Sequence, residues 1–494
     1  AKALNNSVVN IILKDLRPIS IVEDKGFREF VELGYQLPSR TFFIEMVEKK
    51  YLVTMQNIKV ELITPEKIAL ASDIWTSLAT EAYMSVTAHF ITKDWQLKSI
   101  NLATKPLSER HTGENIVTFI EQVFEKFELE PSCICALVCD NGANMVAAAK
   151  KLKEKSIRCV GHTIQLVVNS ALKVTTIDQT MGAARCLVKH FHRSEAASSA
   201  LRTKQQQMAV PQHSLKQGWN STLHMVTCLL EQRWPVTAVL SDSTMTAKRQ
   251  HYLELQSNQW SLLEEVKQLL EPFEVATTYL SREKYVSLST VPLHIDALIK
   301  EMQPDGNFKT AALEQISNCW KFQNNPSTEN AIVIAAALDP RFRKLKFLKP
   351  DDVLQLQLGI QKTEVTELVQ PTHRNAGQTG QEESPPSIKQ TVIDKIFSFE
   401  ESSSKDSDEE EISCMQKEVM QYFSEKSSSR DTDPLTDQER FPHVSKLARA
   451  FLAILATSIP SEWLFSVAGT IASRKRASLT PQHVDMLVFL HSNT

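Results

Sequence analysis

Glycine is the first scarcity. The chain of 494 residues holds only 12, well below the average share of about 7%, which favours helix and leaves few loops able to wrap a phosphate. No Walker loop, dinucleotide fingerprint or HExxH pair occurs, so the common nucleotide-binding and zinc-protease signatures are missing. No apolar run is long enough to cross a bilayer and no signal-peptide pattern opens the chain, so no membrane partner is expected. Eight scattered cysteines without a secretory leader read as reduced thiols of the cytosol or nucleus. The chain starts at Ala1 rather than methionine, from which residues missing upstream are expected. Charge of one sign is scarce overall but not locally. The net charge is −3, yet residues 400–411 hold seven acids and one lysine, which leaves the remainder mildly basic and permits nucleic-acid contact.

An apolar content of 42% is ordinary for a globular protein, and the length suits two to four domains or one core with large insertions. Residues 1–62 read as helical, punctuated by Pro18, Gly34 and Pro38. From residue 63 the pattern turns to strands. Ile68 to Ser72 is an apolar run that ends on Asp73, Tyr83 to Ile91 alternates, and Leu97 to Leu107 can be a third strand. Gly113 to Leu129 is amphipathic, with Ile116, Phe119, Ile120, Val123 and Phe124 inward. Ile134 to Cys139 then forms a buried strand ending on Asp140. Three strands, a helix and a fourth strand follow the order of an RNase H-like α/β fold, in which the first and fourth strands are neighbours. Asp73 and Asp140 would then meet. Adjacent carboxylates repel, and a hard divalent cation such as Mg²⁺ relieves this while keeping a water that can act as nucleophile. Spacing alone equally allows both acids to be caps of the turns after their strands.

Further along, Cys159-x₂-His162 lacks a second ligand pair at zinc-finger spacing, and the pair reads as a structural or supporting feature. Residues 173–362 are mostly helical, and residues 363–437 lose periodicity and fill with Ser, Glu, Gln and Pro, as a solvated acidic linker does. Order returns over residues 438–494. There Pro460 and Ser461 form a helix start, with Ser461 able to cap and Glu462 in the first turn, where the helix dipole favours an ionised carboxylate. Leu464, Val467, Ala468 and Ile471 make its packing stripe. Arg474-Lys475-Arg476 form a basic cluster, solvent-exposed by default and able to contact phosphate. Thr480 and Pro481 open a final buried helix.

Ser461-Glu462 through Leu490, the Asp73 and Asp140 strands, Cys159/His162 and Gly218-Trp219-Asn220-Ser221-Thr222 together resemble the hAT transposases, especially domesticated relatives of the BED zinc-finger (ZBED) type. The resemblance implies an RNase H-like core with a mixed five-stranded sheet, interrupted by a large all-helical insertion and preceded by N-terminal helices for dimerisation and DNA binding. It implies a C-terminal dimerisation region that completes the core, and hence a homodimer or higher oligomer on double-stranded DNA in the nucleus. It also makes Asp73, Asp140 and Glu462 the metal-binding catalytic triad, with Mg²⁺ or Mn²⁺ activating water and then a DNA 3′-hydroxyl for in-line attack. Trp219 would stack on an extruded base. Two positions depart from the family pattern: Gly218 and Trp463 stand where arginine is usual. Zinc is expected only if a BED finger precedes the chain, since no Cys/Cys/His/His set lies before Asp73. Two functions follow: a domesticated DNA-binding regulator of transcription, or a competent cut-and-paste transposase.

Overall fold

A computed structural model of the chain describes residues 2–31, 35–76, 82–107, 109–152, 156–211, 222–242, 253–281, 286–302, 306–320, 330–368, 408–435, 439–471 and 480–494. Its helices and strands divide into two units. One comprises Ala1–His162, Leu280–Pro292 and Phe322–Thr494, the other Thr163–Tyr279 and Leu293–Lys321.

The first unit is built on a sheet. Its strands are β1 (Ile68–Thr76), β2 (Ala82–Ile91), β3 (Leu97–Pro106), β4 (Ile134–Cys139) and β5 (Ser156–Arg158), ordered β3-β2-β1-β4-β5. β1, β2 and β3 form an antiparallel meander, whereas β4 and β5 run parallel to β1. The sheet is therefore mixed and five-stranded, as the RNase H-like expectation requires. The alternation of β2 has a physical outcome. Met84, Val86, Ala88 and Phe90 occupy one face and Ser85, Thr87 and His89 the other, yet every residue of the strand is buried. Two members of the polar face are bonded: Thr87 Oγ1 donates to Ala71 O, and the His89 ring nitrogens lie 2.8 Å from the Thr87 and Ser99 hydroxyls, whereas Ser85 Oγ has no partner among the described residues.

Helices of this unit are α1 (Lys2–Lys14), α2 (Lys25–Val31), α3 (Arg40–Leu62), α4 (Gly113–Phe127) and α5 (Ala143–Lys151). Ser39 caps α3 by accepting from Phe42 N, and Thr112 caps α4. α6 (Val160–Ala171) leads the chain into the helical unit, which holds α7 (Thr175–Arg193), α8 (Glu195–Gln207), α9 (Thr222–Glu231), α10 (Arg233–Ser241), α11 (Ser257–Leu280), α12 (Val291–Glu301) and α13 (Asn307–Cys319). The chain then returns to the sheet unit through α14 (Ala331–Leu338), α15 (Pro350–Leu368), α16 (Asp408–Ser424), α17 (Pro442–Leu452), α18 (Ile459–Ile471) and α19 (Pro481–Asn493).

Two boundaries differ from the sequence expectation. The helical unit ends before residue 362: α14 packs on α17 and on the turn Leu288–Thr290, so the stretch after Lys321 belongs with the sheet. The linker drawn at 363–437 also overlaps folded chain. α16 buries Val419, Tyr422 and Phe423, and its C-terminal carbonyls are taken by cations: Arg343 donates to Tyr422 O, and Lys344 to Phe423 O and Ser424 O. An acidic run that looks like linker is also a favourable helix start, and here it leads into α16.

Among the described residues β3 pairs only with β2, which leaves its outer edge in need of partners. α19 supplies them from side chains. Asn493 accepts from Asn101 N and donates to Asn101 O, while Asp485 Oδ1 accepts from Thr104 N at 2.8 Å. The C-terminal helix thus closes the sheet edge and sinks Val484, Leu487, Val488, Phe489 and Leu490 into the core.

Candidate metal and nucleic-acid site

The parallel register pairs Ser72 of β1 with Cys139 of β4. The next residues are Asp73 and Asp140, so the two carboxylates emerge side by side at one end of the sheet. Asp73 is 4% exposed. Its Oδ1 accepts from Ile74 N at 2.8 Å and its Oδ2 from Ser458 Oγ at 3.2 Å. Asp140 Oδ1 accepts from Gly142 N at 3.0 Å, the turn bond that a capping role alone would give it. A Cβ at residue 142 would stand 3.0 Å from the same oxygen, so glycine there lets the bond form without moving the carboxylate. Asp140 is near enough to Asp73 for its charge to disfavour ionisation of the latter.

Glu462 arrives from almost 400 residues away. Val160 N donates to Ala456 O at 3.0 Å and Ser458 N donates to Cys159 Sγ at 3.3 Å, which stitches residues 456–458 to the start of α6. Ser458 O then receives Ser461 N and Glu462 N. Ser458 rather than Ser461 therefore terminates α18, contrary to the capping role expected of Ser461. The helix begins three residues earlier than a cap at Ser461 implies, and Ser461 Oγ is left buried without a partner among the described residues. Trp75 of β1 stacks on Phe465, with centroids 5.6 Å apart and planes 14° apart, and packs against Tyr83. That contact ties the helix of Glu462 to the strand of Asp73.

The result is a cluster in which one ligand atom each from Asp73, His162 and Glu462 lies within 4.8 Å of the others. Cys159 and His162 stay in contact with each other but differ in what else they meet. His162 faces the acids, while Cys159 sits behind it, fully buried on the Ser458 amide. His162 Nδ1 is buried with no hydrogen-bond partner among the described residues. Spacing could not have given His162 this place, because it depends on the bonds that tie residues 159 and 160 to residues 456–458. Trp219 and the cluster Arg474, Lys475 and Arg476 lie outside the described residues. Trp463 is 58% exposed and stacks on His491 at 6.2 Å.

Electrostatics mark the cluster as a site short of positive charge. Burial pushes Asp73 up to about 6, opposed by His162 and reinforced by Asp140. Burial also raises Glu462, again with His162 opposing. His162 is raised to about 9, first by its contact with Cys159 and against the effect of burial, with Asp73 and Glu462 adding to the rise. Burial is the largest influence on Cys159 and acts upward, but His162 and the Ser458 amide together bring the thiol below its ordinary value. The carboxylate oxygens are hard donors that fit Mg²⁺ and Mn²⁺, and the imidazole beside them is a borderline donor that Mn²⁺ tolerates better. The orphaned His162 nitrogen and the raised carboxyls are what such a cation would satisfy.

A five-stranded mixed sheet with one aspartate on its first strand, another directly after its fourth and a C-terminal glutamate defines an RNase H-like protein. Family models make this specific. Residues 71–183 match the ZBED1 RNase-like domain, residues 157–269 the ZBED1 RNase-like helical domain, and residues 415–494 the hAT family C-terminal dimerisation region. The chain belongs to the hAT transposase family. Its similarity to individual relatives is low but extends end to end. Zinc finger BED domain-containing protein 4 of Homo sapiens is 25% identical over 100% of this chain and 44% of its own length. The putative transcriptional regulator tpeD of Talaromyces stipitatus is 23% identical over 100% of this chain and 62% of its own. The putative AC transposase of Zea mays is 23% identical over 95% and 62%. The chain spans about half the length of the curated relatives it matches. No described helix is long and apolar enough to cross a membrane.

Proposed function

We propose that this chain is a transposase-derived nuclear protein that dimerises, binds double-stranded DNA and regulates transcription, and that it retains a divalent-cation site at Asp73, Asp140 and Glu462. The carrying observation is the convergence of Asp73, His162 and Glu462 within 4.8 Å from strand, helix and C-terminal region. In this reading Asp73 and Glu462 are the ligands, Asp140 shares the cation from the neighbouring strand end, and His162 positions Glu462 or joins the ligand set. A bound Mg²⁺ or Mn²⁺ would supply Lewis-acid activation of water and screening of a phosphodiester. Ser458 holds Asp73 in place, and Trp75 with Phe465 holds the helix that carries Glu462. The C-terminal region is the proposed oligomerisation element, and relatives named as a transcriptional regulator and as BED zinc-finger proteins support the regulatory role.

A second reading, an active cut-and-paste transposase, is favoured by the approach of Asp73 and Glu462 with Asp140 following the neighbouring strand, because Asp/Asp/Glu is the full set of residue types that metal-dependent strand cleavage needs. Mn²⁺ titration followed by electron paramagnetic resonance, beside a nicking assay on labelled duplex DNA with Mg²⁺, tests both. The regulator predicts Mn²⁺ uptake that Glu462→Gln abolishes, duplex binding, and no metal-dependent nicking. The transposase predicts nicking that Asp140→Ala removes. Absence of Mn²⁺ uptake by the unaltered chain would sink the retained site in both.

A further inference from the structure

The helical unit carries a second charged feature that the acidic cluster does not use. Residues 173–216 hold seven lysines and arginines against two acids, a net +5 within a chain of net −3. On α7 the charges are aligned. Arg185, Lys189 and Arg193 follow one another at i, i+4 and i+8, all exposed, with exposed His192 beside them. Successive positions at this spacing turn by about 40° and climb about 6 Å along a helix, so the three cations form one stripe about 12 Å long. No ion pair or hydrogen bond engages any of the three side chains among the described residues. The nearest acids in sequence are Asp178, two turns earlier on the same face, and Glu195 at the start of α8. Behind the stripe, Ile177, Met181, Ala184, Leu187, Val188 and Phe191 are buried, which fixes the face that α7 turns outward.

Three unpaired cations on a rigid helix are held close against their own repulsion, and a polyanion relieves this. No large apolar side chain of α7 or α8 is exposed, so the surface lacks the apolar centre that a protein partner would need. The 6 Å step is comparable to the separation of successive phosphates along a nucleic-acid strand, and such contacts position a duplex without reading its sequence. We infer that the Arg185–Lys189–Arg193 stripe of α7 is a binding track for the phosphate backbone of double-stranded DNA. The inference rests on the DNA-binding reading above and assigns it a surface outside the acidic cluster.

The test uses the full chain and a fluorescent duplex of mixed sequence, with anisotropy read at several salt concentrations. Each phosphate contact contributes roughly 0.9 to the slope of log affinity against log salt. Arg185→Gln/Lys189→Gln/Arg193→Gln is expected to reduce that slope by about two to three and to weaken binding at least about tenfold at physiological salt. A charge-matched variant of exposed lysines in the sheet unit, Lys93→Gln/Lys346→Gln/Lys349→Gln, is expected to leave the slope within about one of the original. Unchanged slope and affinity in the α7 variant, with circular dichroism showing native helix, overturns the track while leaving DNA binding intact. An equal fall in both variants also overturns it, as does competition by polyglutamate matching that of duplex at equal charge. If the unaltered chain binds no duplex at all, the DNA-binding reading itself falls.

Discussion

The sheet unit and the helical unit treat polar side chains in opposite ways. Among the described residues, the helical unit buries only Thr163, Thr180, Gln205 and Gln232, none of them charged. The sheet unit buries Asp73, His89, Asp339, Arg341, Arg343 and Asp485, together with a series of serines and threonines. A buried charge is costly unless paired and bonded, so a unit that keeps several has been built around them. A helical unit with an apolar interior meets its partners through its surface charge instead. The proposed cation site thus draws on the buried carboxylates of the sheet unit, and the proposed polyanion track on the exposed cations of the helical unit.

The contrast can be broken most sharply at its extremes. In the sheet unit Asp339 is fully buried and receives Arg341 Nη2 at 2.7 Å, Arg341 Nε at 2.9 Å and Ser289 Oγ at 2.6 Å. Asp339→Ala strands the guanidinium, and a loss of about 3–5 kcal/mol in a denaturant titration is expected. The paired replacement Asp339→Leu/Arg341→Met should recover most of it, because removing both charges lifts the desolvation penalty. The matching site in the helical unit is neutral: Gln205 Nε2 donates to Gln232 Oε1 at 2.8 Å, and Gln232 Nε2 donates to Pro211 O. There Gln205→Ala should cost only about 1–3 kcal/mol. Equal losses at the two sites would erase the distinction between the units.

Legibility in the sequence follows the same division. The β1 and β4 runs, each apolar and each ending in an aspartate, were readable because a strand buried on both sides needs no alternation. Their adjacency followed from strand order, and Asp73 and Asp140 duly leave neighbouring strands. Glu462 was readable through the family motif and the helix start around it, although its cap was misplaced by taking Ser461 for Ser458. His162 was legible as a motif but not as a member of the cluster, since its position depends on two backbone bonds to residues 456–458 that lie some 300 positions away. The extent of the linker was overdrawn because composition records solubility, not the three carbonyls that Arg343 and Lys344 occupy. The α7 stripe is not legible in the sequence for a simpler reason. Cations at i, i+4 and i+8 are common on any solvated helix, and only the burial pattern and the absence of ion pairs among the described residues set these apart.

The smallest expected effect comes from His89, and it asks whether burial of ionisable groups in the sheet is sustained by bonding alone. The ring sits between two hydroxyls with no carboxylate bonded to either nitrogen, and burial lowers its pKa to about 3. In the unfolded chain the same group titrates near 6.5. Between these values the unfolded state binds the extra proton, so stability falls as pH falls, and the contribution is complete only above about pH 6.5. Between pH 6.5 and 5 the loss assignable to this one ring is about 1.5 kcal/mol. Unfolding measured across that range in the unaltered chain and in His89→Gln, which keeps a donor and an acceptor but carries no charge, isolates it. The variant's stability should be flatter with pH by that amount. The raised carboxyls cannot mimic the signal: Asp73, with its folded value near 6, takes up its proton in the folded state first and makes the protein gain stability as pH falls. Parallel pH curves for the two proteins would mean that the His89 ring finds water or a charge when the sheet is acidified, and the sheet's polar interior would then be no drier than the surface of the helices.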